Sequence, residues 1–391
     1  MSFKHQPLNL INPAFDSNLT NLILELDFLK RKVLRGSTHP ALFFQLKTIF
    51  HMVESIGSAR IEGNNTTIAE YIETKIVGIK KKNASESYKE IQNVEKAMSY
   101  IDENIRKIDI NKAFISDLHK MVVKGLNPHE EGDATPGIYR NHPVGIKNSM
   151  HIPPANDILI NQYMEELFEF INKDDKPQFD LLKTAIAHHR FVWIHPFGNG
   201  NGRSVRLFTY AILVKQGFKV DMGQRILNPT AVFCSNRNKY YEMLSKADTG
   251  KPSGILDWCE YVLEGLKEEI EKIDKLLDYE FLKKEILHPA LDFSIDRKFI
   301  TQDEYKVLKI VVEKQEVQAA DIKPVYGEKD PSIISRNIKK LISKEILVPL
   351  GEKSRKYTLR FENNYLIRGI INSLKDNGFV PDKKMMGDIE K

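Results

Sequence analysis

HPFGNGNGRSVRL, His195 to Leu207, sets a histidine, a proline and an aromatic before a turn that holds three glycines and two asparagines. An amphipathic run carrying Arg203 and Arg206 follows directly. Gly198, Gly200 and Gly202 let the backbone approach a ligand closely and turn its N–H groups inward. A helix that starts just after them adds the positive end of its dipole, so the turn suits a phosphate. Arg203 and Arg206 are three apart, which places them on one helical face where they can hold neighbouring phosphates. His195 stands just before the turn and can take a proton from a hydroxyl near neutral pH. Together these groups point to phosphoryl or nucleotidyl transfer. On spacing alone a simpler alternative stays open: a turn that only caps a helix, beside a structural histidine.

Outward from that stretch the pattern is helical. Leucines at three- and four-residue spacing predict a helix over Asn18–Leu34, and Ala41–Asn65 reads as another, stopped by Gly63-Asn64. Further helices are predicted near Tyr88–Arg106, Lys112–Val123, Ala155–Ile171, Phe179–Trp193 and Arg203–Lys215. GIYRNHPVGIKNSMHIPP, Gly137 to Pro154, breaks the pattern and reads as a hairpin-like excursion between helices. Leu266–Leu287 reads as a charged helix that ends near His288-Pro289 and spaces two domains. Beyond it the predicted order is helix, short helix, helix and two strands around Gly351, the order of a winged helix-turn-helix.

The totals set bounds on function. At 391 residues the chain is long enough for two or three domains. A hydrophobic share of 41% and a charged share of 28% are ordinary for a soluble globular protein. A net charge of +5 is too small for a general polyanion binder, so local charge has to be read instead. Cys234 and Cys259 are the only cysteines and neither has a CxxC neighbour, which argues against a disulfide framework or zinc ribbon. No apolar run is long enough to span a membrane, and the N-terminus lacks a signal-peptide core; the expected compartment is the cytoplasm.

The opening stretch resembles the signature of the Fic family, HxFx(D/E)GNGRxxR, at His195, Phe197, Gly200, Asn201, Gly202, Arg203 and Arg206. PGIYR (Pro136 to Arg140) and HIPP (His151 to Pro154) are similar to the family's flap region, and KYYEMLSKAD (Lys239 to Asp248) to its nucleoside-pocket helix. The resemblance implies a mainly α fold with a small β-hairpin flap. It also implies transfer of AMP from ATP to a Ser, Thr or Tyr hydroxyl of a protein, the chain itself included. In those roles His195 would be the base and Phe197 a core anchor. Gly200, Asn201, Gly202, Arg203 and Arg206 would hold phosphates, the flap near Val144–His151 would pair with the target segment, and Tyr240, Tyr241 and Asp248 would wall the nucleoside. Where the family carries an acidic residue that helps hold Mg²⁺, this chain has Asn199, so the expectation is weaker metal binding and slow transfer.

SARIEGN, Ser58 to Asn64, resembles the family's inhibitory motif (S/T)xxxE(G/N). Ser58 and Glu62 are four apart and face the same way on the helix that Gly63 ends. The resemblance implies that Glu62 pairs with Arg206 and leaves ATP misaligned, a brake N-terminal to the signature in the same chain. Toward the C-terminus, Ser332–Arg360 holds eight basic residues against two acidic ones. Arg336, Lys339 and Lys340 are candidates for the exposed side of a recognition helix, and Arg355 and Lys356 for a basic wing that contacts DNA. The segment resembles the winged-helix domain often fused to Fic proteins, which also fits protein binding or a homodimer.

The sequence thus divides into an N-terminal helical region with the inhibitory helix (1–108), a Fic core (109–262), a helical linker (263–298), a winged helix-turn-helix (299–362) and a C-terminal tail (363–391). Two rivals stand beside adenylylation. One is a DNA-binding regulator whose pocket senses a nucleotide. The other is a Fic enzyme that removes AMP or transfers another phosphate-linked group.

Overall fold

Capping chemistry in the sequence fixes where the first helices begin. The structure, a computed structural model, describes residues 3–31, 37–77, 85–146, 149–218, 231–327, 331–352, 354–362 and 364–380. Helix α1 covers Asn18–Arg31, and positions 32–34 of the predicted helix lie outside the described residues. Helix α2 covers Pro40–Glu62; His39 Nδ1 accepts the Ala41 N–H and Pro40 occupies the first turn, where its missing N–H costs nothing. Gly63, at φ 121°, ends α2 and gives its N–H to the last carbonyls of the helix. Helices α3 (Ile68–Val77), α4 (Glu86–Asn104), α5 (Lys112–Val122) and α6 (Asp157–Asn172) follow. Ser85, Asn111 and Asn156 cap α4, α5 and α6 through their side-chain oxygens. The central pair is α7 (Asp180–Ile194) and α8 (Asn201–Lys215), succeeded by α9 (Ala231–Ser235), α10 (Arg237–Ala247) and α11 (Pro252–Asp274).

The described residues of 137–154 contain no strand, and positions 147–148 of the flap lie outside the described residues. The reason is local. The buried Arg140 guanidinium donates to the carbonyls of His142, Pro154, Ile194 and His195, so backbone groups are satisfied by a side chain and not by a facing strand.

The charged stretch after α11 also differs from the expected spacer. The helix breaks at a 3₁₀ turn, Lys275–Leu277, and resumes as α12 (Tyr279–Phe281). A π-turn at Leu282–Leu287 then leads into α13 (His288–Asp296). His288 gives its N–H to Lys283 O, five residues back, and this wider turn carries the chain past Pro289, which has no N–H to give. Leu276, Leu277, Leu282, Ile286 and Leu287 are buried, which makes this segment core.

Helices α14 (Gln302–Lys314), α15 (Ala319–Tyr326) and α16 (Pro331–Ser343) precede strands β1 (Leu347–Pro349) and β2 (Tyr357–Leu359). The strands pair antiparallel with Leu347 opposite Leu359, and Val317 forms a single bridge to Tyr357. The region expected to be a tail carries α17 (Leu366–Asp376), which buries Leu366, Ile367, Ile370, Ile371 and Leu374. That apolar stripe has helical spacing and packs on α13. Arg336, Lys339, Lys340, Arg355 and Lys356 are exposed; Lys353 lies outside the described residues.

Two apolar cores organise these elements. One gathers α1, α4–α8, α10 and most of α11. The other gathers α2, α3, α12–α16, the hairpin and α17. Helix α2 belongs to the second core from Leu42 to Ala59, yet its last turn reaches the first through Ile61. Among the described residues no helix is long and apolar enough to cross a membrane.

Candidate active site

The turn between α7 and α8 forms the floor of a cleft. His195 ends α7 in the left-handed conformation, φ 52° and ψ 61°, which swings its ring out of the helix. Its Nδ1 lies 3.3 Å from Val192 O. A carbonyl can only accept, so Nδ1 carries the proton and Nε2 keeps a free lone pair. Burial pushes the imidazole down to about 4, so it is neutral at pH 7 with the Nε2 lone pair unprotonated.

Past His195 the turn is braced from inside. Asn201 Oδ1 accepts the Phe197 N–H and Asn201 Nδ2 donates to Phe197 O, both at 2.9 Å. Phe197 is fully buried, as expected of an anchor. Gly200 opens α8 at φ 73°, and a Cβ there would press on Val123 at 3.0 Å. Gly202 is required differently: a Cβ added there would collide with the carboxylate of Glu62. The last turn of α2 therefore places a negative charge over the start of α8, the position where a helix favours an anion.

Arg206 completes that arrangement. Its Nε donates to Ser58 Oγ at 2.8 Å, and its Nη2 donates to Ser58 O at 2.8 Å and to Glu62 Oε1 at 2.7 Å. Its Nη1 has no hydrogen-bond partner among the described residues and is buried. Burial alone would raise the Glu62 carboxyl; Arg206 outweighs it, with Arg203 and His195 adding to the effect, and holds the group below the ordinary carboxylate range. Burial opposes the Arg206 charge in turn, and Glu62 more than restores it.

Not every expected residue reaches the cleft. Arg203 is fully buried and turns to α4, where its Nη1 meets Glu90 Oε1 at 2.9 Å and its Nη2 donates to Glu131 O at 2.8 Å. It is absent from the cleft lining, so of the two arginines expected to hold phosphates Arg206 is the one that faces the cleft. Three positions on a helix rotate a side chain far enough for α4 to claim one arginine and α2 the other. Tyr240, Tyr241 and Asp248 do line the cleft. Tyr240 is also core, bonded through its hydroxyl to His188 Nε2 at 2.9 Å. Asp248 meets His189 Nε2 at 2.9 Å and Ser149 Oγ of the flap at 3.4 Å.

Asn199 lines the cleft, but its amide is engaged elsewhere. Nδ2 donates to Glu130 O at 2.6 Å and Oδ1 accepts the Gly200 N–H at 2.7 Å. Glu62 and Asp248 are paired, and no cluster of three or more acidic, histidine or cysteine side chains suits a metal among the described residues. Asn199 offers only an uncharged oxygen, already engaged by the Gly200 N–H, so Mg²⁺ at this position would rest mainly on substrate phosphates. Arg140, quoted in the sequence only as part of PGIYR, proves to be the organiser of the flap base. A lone arginine among small and apolar residues was the available signal.

Residues 108–213 match the model of the Fic/DOC family. They form a Fic domain. The chain is 31% identical over 206 residues to the protein adenylyltransferase Fic of Drosophila yakuba, an overlap that covers 51% of this chain and 37% of that relative. With the protein adenylyltransferase Fic of Nematostella vectensis it shares 29% identity over 198 residues, 49% of this chain and 42% of the relative. It thus spans well under half the length of the curated relatives it matches. The fold is similar to a Fic family protein from Desulfovibrio desulfuricans at TM-score 0.54 and 19% identity, covering 91% of this chain and 98% of that one. A Fic domain containing signaling protein from Bacteroides thetaiotaomicron is similar at TM-score 0.50 and 18% identity, covering 67% of this chain and 98% of the other.

Proposed function

We propose that the Fic domain transfers AMP from ATP to a Ser, Thr or Tyr hydroxyl of a protein, and that Glu62 restrains the reaction. The observation that carries this reading is the meeting, in one cleft, of a neutral histidine, the N-terminus of α8 and the Arg206–Glu62 pair. His195 Nε2 takes the proton of the target hydroxyl. The hydroxyl oxygen then bonds to the α-phosphorus, the bond from that phosphorus to the bridging oxygen breaks, and pyrophosphate leaves. With Glu62 withdrawn, the amides at the start of α8 and the Arg206 guanidinium face the phosphates. With Glu62 in place, its carboxylate occupies that ground and excludes them. The names of the relatives, each a protein adenylyltransferase, agree with this chemistry.

The test uses ATP labelled at the α-phosphate. Glu62→Gly should label protein, itself included, at least tenfold faster than the wild type, and Glu62→Gly with His195→Ala should not label at all. Burial holds His195 at about 4 even with Glu62 raising it, so transfer by Glu62→Gly, which lacks that carboxylate, should hold from neutral pH to about 5 and fall only at about 4 or below. Label that persists without His195 would remove it as the base.

A second reading attaches to the C-terminal unit. The order α14, bridge, α15, α16 and hairpin supports a winged helix-turn-helix, and the exposed Arg336, Lys339 and Arg355 form no ion pair with any described residue. We propose that this face contacts duplex DNA. The full chain should then retard duplex DNA at low salt, with Arg336→Ala weakening the shift. Equal retardation by the variant would count against it.

A further inference from the structure

Behind the phosphate turn lies a side chain that the signature does not contain. His119, on α5, is fully buried, and its ring lies flat on Phe197 with centroids 3.7 Å apart and planes 2° from parallel. Its Nδ1 stands 2.8 Å from the N–H nitrogen of Gly137, and its Nε2 stands 2.9 Å from Asn199 O. A backbone N–H can only donate and a carbonyl can only accept. One tautomer therefore satisfies both: Nε2 carries the proton and Nδ1 the lone pair. Asp133 joins from the same side, with its Oδ2 accepting the Asn199 N–H at 3.0 Å and its Oδ1 accepting the Thr135 N–H at 2.7 Å. The imidazole thus spans two segments that sequence keeps far apart, the start of the flap region and the turn before α8.

We propose that His119 is a positioning residue for the phosphate turn: by holding Asn199 O against Gly137 N–H it fixes the direction in which the first amides of α8 point. His119 does not line the cleft, so it acts through the turn and touches no substrate. Two bonds of opposite polarity on one rigid ring set a distance as well as an orientation, which simple packing would not. Burial pushes the ring down to about 4, so the neutral tautomer that makes both bonds persists at pH 7.

This inference rests on reading the cleft as an ATP site, and the test separates the two. In the Glu62→Gly protein, affinities for ATP and for adenosine are measured by calorimetry for His119 and for three substitutions. His119→Phe keeps the ring on Phe197 and removes both bonds; it should weaken ATP at least tenfold and leave adenosine within twofold. His119→Gln keeps an N–H near the Nε2 position and should recover most of the ATP affinity. His119→Asn keeps only an acceptor near Nδ1 and should not. ATP affinity within twofold of the parent in His119→Phe would overturn the role. So would equal losses for ATP and adenosine, which mark a packing defect. Should the phenylalanine variant fail to fold, Gln and Asn variants that lose ATP equally would overturn it as well. A parent that binds no ATP would overturn the function of the cleft itself, and this role with it.

Discussion

Arg203 and Arg206 are the same residue type, three apart on one helix, with different work. Arg206 faces the cleft through Ser58 and Glu62; Arg203 is sealed against Glu90, both side chains nearly inaccessible. Removing one member of a buried pair leaves the other charge unpaired, at a cost of roughly 3–5 kcal/mol. Arg203→Ala, which strands the buried Glu90, should therefore lower the urea midpoint strongly; Arg206, equally buried, leaves behind a partner that is 27% exposed and can be hydrated, so Arg206→Ala should cost less stability and abolish transfer in the Glu62→Gly protein. Denaturation curves and a transfer assay on the two variants check this, and a fully stable Arg203→Ala would refute it. The histidine and the glycines are legible in the sequence because spacing along one turn ties them together, whereas the Glu62–Arg206 pairing, between helices 144 residues apart, is implied only by the resemblance to the family's inhibitory motif. The direction of Arg203 is not legible, since helical spacing orders side chains on a surface without naming what packs against it. For Asn199 the family position suggests a metal ligand and the uncharged amide a weak one; the sequence does not show that Glu130 O and Gly200 N–H engage that amide.

Helices were legible wherever apolar spacing coincided with a cap, as at α4, α5 and α6. Helices α3 and α13 have no counterpart in the predicted elements, and two further readings differ from the structure for physical reasons. The excursion at 137–154 reads as hairpin-like from its short polar-apolar pieces, Gly145 and Pro-Pro end, yet a single buried arginine takes two of its carbonyls. Helix α17 escaped for a different reason. It has no side-chain cap from Tyr365, and Gly369 interrupts its apolar stripe. That glycine is explained by contact: a Cβ would stand 2.5 Å from Ala290 O of α13. Gly369→Ala should push α17 off α13 and lower stability by about 1–3 kcal/mol, the usual cost of overpacking. A urea midpoint equal to or above that of the parent would contradict the close approach of these helices.

At the scale of the molecule, α2 ties the two cores together. Its last turn carries Glu62 into the cleft, while its body lies in the C-terminal core. Near its start the buried Gln45 donates to Leu359 O and accepts the Phe361 N–H, both at 2.8 Å, which clips α2 to the end of β2. Gln45→Ala leaves those backbone groups without partners at a cost of about 1–3 kcal/mol. The helix should then sample positions with Glu62 out of the cleft, and transfer by the otherwise wild-type chain should rise a few-fold. Unchanged transfer with a lowered melting temperature would show that α2 is held well enough without the clip. Sequence alone could not have found this link, because residues 45 and 361 are joined only by the packing of the second core. The central claim is that Glu62 stands where a phosphate of ATP must go. Calorimetry of ATP and adenosine binding to the wild type and to Glu62→Gly tests it most directly. The substitution should tighten ATP at least tenfold and leave adenosine unchanged; equal ATP affinity in the two proteins would contradict a phosphate site under Glu62.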